Sequence, residues 1–190
     1  MDGLPSDIVI LEPLSLEHAA ELHALSPLET FRYFTTRPRD GSLAAFEEFL
    51  GGALADTSRE GFVVRDRANG RVVGSTSFLD IRPAHRGLEI GFTWYDPACR
   101  GTRINPACKA LMLERAFDER GCVRVQLKCD NRNELSKRAI SKLGAVFEGV
   151  LRKHMIMPDG FIRDTAMFSI TPEEWPTVRA GLRARLATPA

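Results

Sequence analysis

Apolar residues in this chain recur at two different spacings, and the switches between them mark out the elements. Near Ile8 to Leu14 the pattern is that of a short strand. Leu16, Ala19 and Ala20 then recur at helical spacing behind Ser15, whose hydroxyl suits a helix N-cap. A second helix is expected from about Ser42 to Leu54, where Phe46, Phe49, Leu50, Ala53 and Leu54 form one apolar stripe. The period shortens again at Phe62 to Arg65 and Arg71 to Ile81, strands joined by Asn69-Gly70, a pair that favours tight hairpin turns. In the next strand, Leu88 to Tyr95, the residues Leu88, Ile90, Phe92 and Trp94 are expected on one face. Glu89, Gly91, Thr93 and Tyr95 belong to the other.

The second half continues the alternation. A helix is expected from about Pro106 to Glu119, with Asn105 as its cap and Pro106 where a missing N–H does no harm. Val123 to Cys129 reads as a strand. Glu134 to Leu143 reads as a helix whose buried stripe is Leu135, Ala139, Ile140 and Leu143, with Gly144 just past its end. Strands near Val146 to Met155 and Phe161 to Ile170 flank a Pro158-Asp159-Gly160 turn. The last helix opens at Thr171-Pro172-Glu173-Glu174, where threonine caps and Glu174 closes a capping box. Trp175, Val178, Leu182 and Leu186 would face inward. The order β-α-α-β-β-β-α-β-α-β-β-α predicts an α+β (mixed α/β) fold with a seven-stranded, mostly antiparallel mixed sheet and helices on both faces. No linker or repeat divides residues 1–190, so a single domain is expected.

Charge narrows the classes of function. Lys plus Arg is 26 and Asp plus Glu is 25, so a broad nucleic-acid or membrane surface is not expected. No apolar run approaches a membrane span, and residues Met1 to Ser6 have no signal-peptide pattern. Cys99, Cys108, Cys122 and Cys129 form no CxxC pair and have no histidine at metal-ligand spacing. Reduced thiols, no metal and a cytoplasmic setting are the expectation.

The segment Tyr95-Asp96-Pro97-Ala98-Cys99-Arg100-Gly101-Thr102-Arg103-Ile104-Asn105-Pro106 carries the clearest chemistry. A strand ends, a short loop supplies glycine and two arginines, and a helix starts. Free amides at a helix start, the positive end of its dipole and neighbouring arginines together attract an anion. In isolation the segment reads rather as a capped helix with solvated arginines. It lacks both the Walker lysine-hydroxyl pair and the dinucleotide glycine triplet.

Its neighbours extend the pattern. The Glu89-Ile90-Gly91 strand precedes it, and Asn133-x-x-Ser136 opens the helix after the following strand. With these residues the chain resembles the GNAT superfamily of N-acetyltransferases, and most of all its RimJ/RimL-type ribosomal-protein N-terminal acetyltransferase branch. The resemblance implies the GNAT acyl-CoA N-acyltransferase fold, acetyl-CoA as co-substrate without a metal, and direct transfer to an amine acceptor, either a protein N-terminus or a small molecule. It places the pyrophosphate on Arg100, Gly101, Thr102, Arg103, Ile104 and Asn105. Arg103 stands where the family has glycine, and Asn105 where it has a small residue. Either the loop geometry differs, or the Arg103 side chain swings out to add a charge to the phosphates.

The resemblance further implies that main-chain groups at Phe92, Thr93 and Trp94, together with Asn133, hold the pantetheine arm. Asn133 is equally a helix N-cap. Ser136 would lie near the CoA sulfur and protonate the leaving thiolate or donate a hydrogen bond to it; otherwise it is a first-turn polar residue with no role. Glu89, opposite Leu88 and Ile90, is the preferred general base; otherwise it is an exposed strand carboxylate paired with Arg124 or Lys128. Asp80 and His85 are weaker bases. Arg32, Tyr33 and Phe34 line the acceptor pocket in relatives, or form a packed loop here. Arg152-Lys153-His154 reads as a solvated strand end, and Cys129 has no base partner that would make it a nucleophile. A homodimer through the C-terminal strands or last helix is compatible with the pattern. A CoA-binding sensor with little turnover is the competing function.

Overall fold

The computed structural model describes residues 4–187. Among them are eight strands, β1 (Leu4–Pro5), β2 (Val9–Pro13), β3 (Glu60–Asp66), β4 (Val72–Arg82), β5 (Gly87–Tyr95), β6 (Arg124–Asp130), β7 (Val146–Ile156) and β8 (Ile162–Ile170). They share one sheet in the order β1-β2-β3-β4-β5-β6-β8-β7. The helices are α1 (Ala19–Ala24), α2 (Leu43–Leu54), α3 (Ile104–Glu114), α4 (Glu134–Leu143) and α5 (Trp175–Ala187). All seven expected strands are present, and β1 adds a two-residue edge too short to leave an alternating pattern. Among the described residues only β5 and β6 run parallel. The fold is thus the mixed, mostly antiparallel α+β sheet that the element order predicts.

Alternation in β3 shows why two helical layers are needed. Phe62 and Val64 enter one apolar cluster, with residues of α3, α4 and α5. Val63, between them, enters the other, with Leu22 of α1 and Phe46 and Leu50 of α2. Successive strand residues face opposite ways, so a strand apolar at three consecutive positions must be covered on both sides. Each fully buried Phe or Leu contributes on the order of 1.5–3 kcal/mol of transfer free energy.

The same alternation breaks in β5. Ser75 pairs with Trp94 and Ser77 with Gly91, so Thr76 alone stands opposite Phe92 and Thr93. This is a β-bulge, and Phe92 takes the left-handed conformation (φ 49°). One extra residue reverses the facing of everything after it. Leu88 and Ile90 therefore lie on the α3 side, while Phe92 and Trp94 pack with α1 and α2. Thr93 and Tyr95 lie on the α3 side in their place. The expected common face of Leu88, Ile90, Phe92 and Trp94 holds only up to the bulge.

Ser15 is the expected cap, but of a 3-10 turn, Leu16–His18, that leads directly into α1. The start of α3 differs from expectation. α3 starts at Ile104, so Asn105 and Pro106 lie inside its first turn and Asn105 is not the cap. Ile104 is apolar and buried, and burial draws the helix start back. A π turn, Arg115–Glu119, completes the expected length. α4 has the expected cap, Asn133, but Leu135 is 69% exposed and only Ile140 and Leu143 of its stripe are buried. In the last helix, Thr171 N donates to the Glu174 carboxylate at 2.8 Å, as the capping box requires.

Gly144 ends α4 in the left-handed region (φ 97°), and a Cβ there would meet Val178 Cγ2 of α5 at 3.1 Å. Gly144→Ala is therefore expected to destabilise the protein by about 1–2 kcal/mol, read as a lowered midpoint in thermal or urea unfolding. An unchanged midpoint would contradict this placement.

Candidate active site

The parallel pair β5–β6 is short. Gly87, Leu88 and Glu89 pair with Arg124, Val125 and Gln126, and there the ladder stops. β5 continues to Tyr95 and β6 to Asp130, so two central strands part inside the sheet. Peptide groups on the two facing edges have no ladder partner, and such groups bind water or a ligand when the chain does not satisfy them. The bulge at Phe92 and Thr93 lies within this parted stretch.

A buried lysine holds the bulge from the α3 side. Lys109 Nζ donates to Thr93 Oγ1 at 3.0 Å and to Thr76 Oγ1 at 3.5 Å, and the two hydroxyls are 2.7 Å apart. The bulge's single residue and one of its double residues are thus tied to one ammonium. Lys109 is 8% exposed and forms no ion pair among the described residues. Burial pulls its pKa down from 10.5 to about 8. The sequence reading missed it. The available signal was its place on the buried stripe of α3, three residues after Pro106 and four before Leu113.

The loop before α3 is built by its own side chains. Asp96 accepts from Ala98 N at 2.9 Å, and Gly101 takes φ 79°. Thr102 Oγ1 donates to Cys99 O at 2.7 Å and accepts from Ile104 N at 3.3 Å. The amides of Gly101, Arg103 and Asn105 make no hydrogen bond among the described residues. Arg100 is exposed beside them. Arg103 is right-handed (φ −75°), so the missing glycine brings no strain. Its guanidinium donates to Leu186 O at the end of α5, at 3.2 Å. The loop keeps free amides at the helix start, with the Arg103 side chain tied to α5. Asn105 accepts from Tyr95 OH at 3.2 Å.

On the other face of the sheet, Glu89 sits where the strands part. It is 2% exposed, with Lys128 Nζ at 2.8 Å and Gln126 Nε2 donating at 3.2 Å. The carboxylate is buried rather than exposed, and its cation is Lys128; Arg124 pairs with Glu148 instead. Asp80 accepts from the same Gln126 amide at 3.3 Å, while His85 lies in an exposed turn. Asn133 Oδ1 accepts from Ser136 N at 3.0 Å, the cap geometry. The Ser136 side chain hydrogen-bonds the Cys129 thiol, whose pKa burial pushes up, disfavouring a thiolate.

The expected acceptor residues are close to this face. Phe34 packs edge-on against Phe92 at 5.2 Å between ring centres, and against Phe31 and Trp94. Tyr33 lies between Arg32 and Arg132, 5.5 and 5.8 Å from its ring. Arg32 itself is exposed and pairs with Glu29. Trp94 is buried, donating to Ser26 Oγ at 2.8 Å, so only its main chain is available to a ligand. Arg152, Lys153 and His154 are exposed within β7. All four cysteines are free, and among the described residues no group of three or more His, Cys, Asp or Glu could hold a metal. No helix among these residues is long and apolar enough to cross a membrane.

Comparison with known proteins adds independent ground. Residues 9–146 match a family described as Acetyltransferase (GNAT) domain. A structure from T. thermophilus described as an acetyltransferase is 36% identical, with a TM-score of 0.93, covering 98% of this chain and 97% of that one. A GCN5-related N-acetyltransferase from Brucella melitensis is 32% identical, with a TM-score of 0.91 and coverage of 98% and 86%. Mycobacterium smegmatis RimJ in complex with CoA-disulfide has a TM-score of 0.77 at 21% identity, covering 97% of each chain, which is a likeness of fold alone. Comparison with curated proteins gives no match.

Lys109 makes the site's stability depend on pH. Between pH 8 and 10.5 the unfolded chain binds its proton and the folded chain does not, so stability contributed by this group rises with pH across that window. Against Lys109→Met as reference, the wild-type unfolding free energy should climb by up to about 1.4 kcal/mol per pH unit there. Parallel urea-unfolding curves for the two proteins at both ends of the window would contradict a buried, unpaired ammonium.

Proposed function

The chain belongs to the GNAT family of acetyltransferases, and from that premise we propose that it transfers the acetyl group of acetyl-CoA to a primary amine by direct attack in a ternary complex. The observation that carries this reading is the parting of β5 from β6 beside the start of α3. It leaves strand peptide groups free next to free helix-start amides, and so suits a ligand with a peptide-like arm and a diphosphate.

The residues fit that ligand. The amides of Gly101, Arg103 and Asn105, with Arg100 at the rim and the Thr102–Ile104 turn holding the loop, would take the pyrophosphate. Arg103 would contribute its amide, since its side chain is engaged with α5. Main-chain groups of Phe92, Thr93 and Trp94, with Asn133 across the gap, would hold the pantetheine. Acetyl-CoA supplies a thioester whose C–S bond breaks as the amine nitrogen forms the new C–N bond. Glu89 would take the proton the amine must lose, since an ammonium has no lone pair to attack with. Ser136 would give a proton to the leaving thiolate. Peptide N–H groups at the bulge would stabilise the oxyanion, with Lys109 positioning them.

We place the acceptor site on the Glu89 face, between the Arg32-Tyr33-Phe34 segment and β8. A protein N-terminus, as in the RimJ/RimL branch, and a small amine both suit an opening there. A cytoplasmic location agrees with the free thiols. Exposed Val146, Phe147, Leu151 and Ile156 of β7 support a homodimer through that edge.

Calorimetric titration with acetyl-CoA, followed by a thiol-release assay against an amine library, tests the reading. Binding and turnover are expected; absence of acetyl-CoA binding would falsify it. Glu89→Gln should lower kcat by about 100-fold or more while leaving acetyl-CoA affinity within about threefold. Unchanged turnover in this variant would remove Glu89 as the base.

A further inference from the structure

Charges on the Glu89 face are unevenly matched. Glu89 has Lys128, Asp130 has Arg132 and Glu148 has Arg124. Two guanidiniums on this face have no ion-pair partner among the described residues. Arg163 lies on β8 opposite in facing to Ala166 and Phe168 of the α3-side core, and is 4% exposed. Its Nε donates to Thr165 Oγ1 at 3.0 Å and its Nη1 to Tyr33 O at 3.3 Å; Nη2 makes no hydrogen bond among the described residues. Arg59 stands just ahead of β3. Its Nε donates to Ser77 Oγ at 3.1 Å, its guanidinium lies 3.8 Å over the Phe92 ring, and its Nη2 is buried without a hydrogen-bond partner.

Arg163 touches the Tyr33–Phe34 turn directly, and Arg59 reaches it through one aromatic ring. Arg163 holds the Tyr33 carbonyl, and Arg59 covers the ring of Phe92 on which Phe34 packs. Both are desolvated: burial is the largest influence on each, lowering the pKa of Arg163 and bringing that of Arg59 to about 10. Partly buried cations without counter-ions are unfavourable on their own. The carboxylates acting on Arg163, Asp130 and Glu89, already hold cations of their own. Asp56, which acts on Arg59, is engaged by the Ser58 amide and hydroxyl. An incoming anion would restore the lost hydration with charge-assisted hydrogen bonds, for which a guanidinium fork is shaped.

We propose that the acceptor amine also carries an anionic group, a carboxylate or a phosphate, which docks on Arg163 and Arg59 beside the Tyr33–Phe34 turn while the amine faces Glu89. The inference rests on the acetyl-transfer reading above, and adds the acceptor's charge pattern to it. A zwitterion meets positive groups at one end of the site and a carboxylate at the other, so charge complementarity selects its orientation.

The test compares matched amine pairs with the full chain, read by ligand-observed NMR with and without CoA. The pairs are glycine with glycinamide, β-alanine with its amide, and phosphoethanolamine with ethanolamine. Anionic members should bind about tenfold or more tighter than their neutral partners. The carboxylate and phosphate pairs distinguish which anion is preferred. Arg163→Met and Arg59→Met should each erase most of that preference, and Arg163→Lys, which keeps the charge, should retain part of it. Thermal unfolding of each variant separates lost binding from lost folding. Equal binding of neutral partners, no binding by any anionic member at millimolar concentration, or a preference that survives in a folded Arg163→Met would each overturn the proposal. Thiol release is scored separately. Anion-selective binding without turnover would leave this site standing and reject acetyl transfer.

Discussion

Thr76 of β4 stands opposite two residues of β5, and the sheet's faces exchange occupants at that point. Upstream, Leu88 and Ile90 seal the α3 side and Glu89 reaches the other. Downstream, Phe92 and Trp94 fill the α1–α2 side, and Thr93 turns to α3. Without the extra residue, two large aromatics would crowd α3, and the aromatic cluster around Phe31, Phe34 and Phe49 would lose its centre. Core packing on both faces therefore depends on one irregularity, which lies where β5 has already parted from β6, and Lys109 fastens it to α3.

That arrangement divides the chemistry between the two faces. The α3 side supplies fixed dipoles: helix-start amides, strand peptide groups and the Thr76–Thr93–Lys109 cluster. They are preorganised, so they need no reorganisation as charge develops. The opposite side supplies ionised side chains around Glu89, largely removed from water, where fixed charges discriminate between ligands more strongly than at the surface. On the proposed reading, an acyl donor held mostly by backbone would leave side chains free to specify the acceptor.

The strand and helix order was legible because long periodic segments such as Ser42 to Leu54 and Glu134 to Leu143 have one dominant spacing. Caps were legible at Asn133, Gly144 and Thr171, where a side chain or a glycine has a specific backbone duty. The start of α3 was misplaced because Asn105 and Pro106 form a good local cap signal, and burial of Ile104 outweighed it. Leu135 was misplaced because a stripe on paper does not say how wide a neighbour covers it. The bulge was invisible, since Phe92, Thr93 and Trp94 continue the strand's alternation without a break. Of the proposed site residues, the Arg100–Asn105 loop and Glu89 were singled out in the sequence, though the burial of Glu89 was not. Lys109, Arg59 and Arg163 were not, because their meaning lies in an unpaired buried charge, which requires the partners to be seen.

Hydrogen–deuterium exchange with and without acetyl-CoA tests whether one continuous cleft, from the helix start through the bulge, receives the acyl donor. New protection is expected at Gly101–Asn105, Phe92–Trp94 and the Asn133 turn alone, with the rest of the sheet unchanged. Protection elsewhere, or none at the bulge when acetyl-CoA is bound, would contradict that cleft.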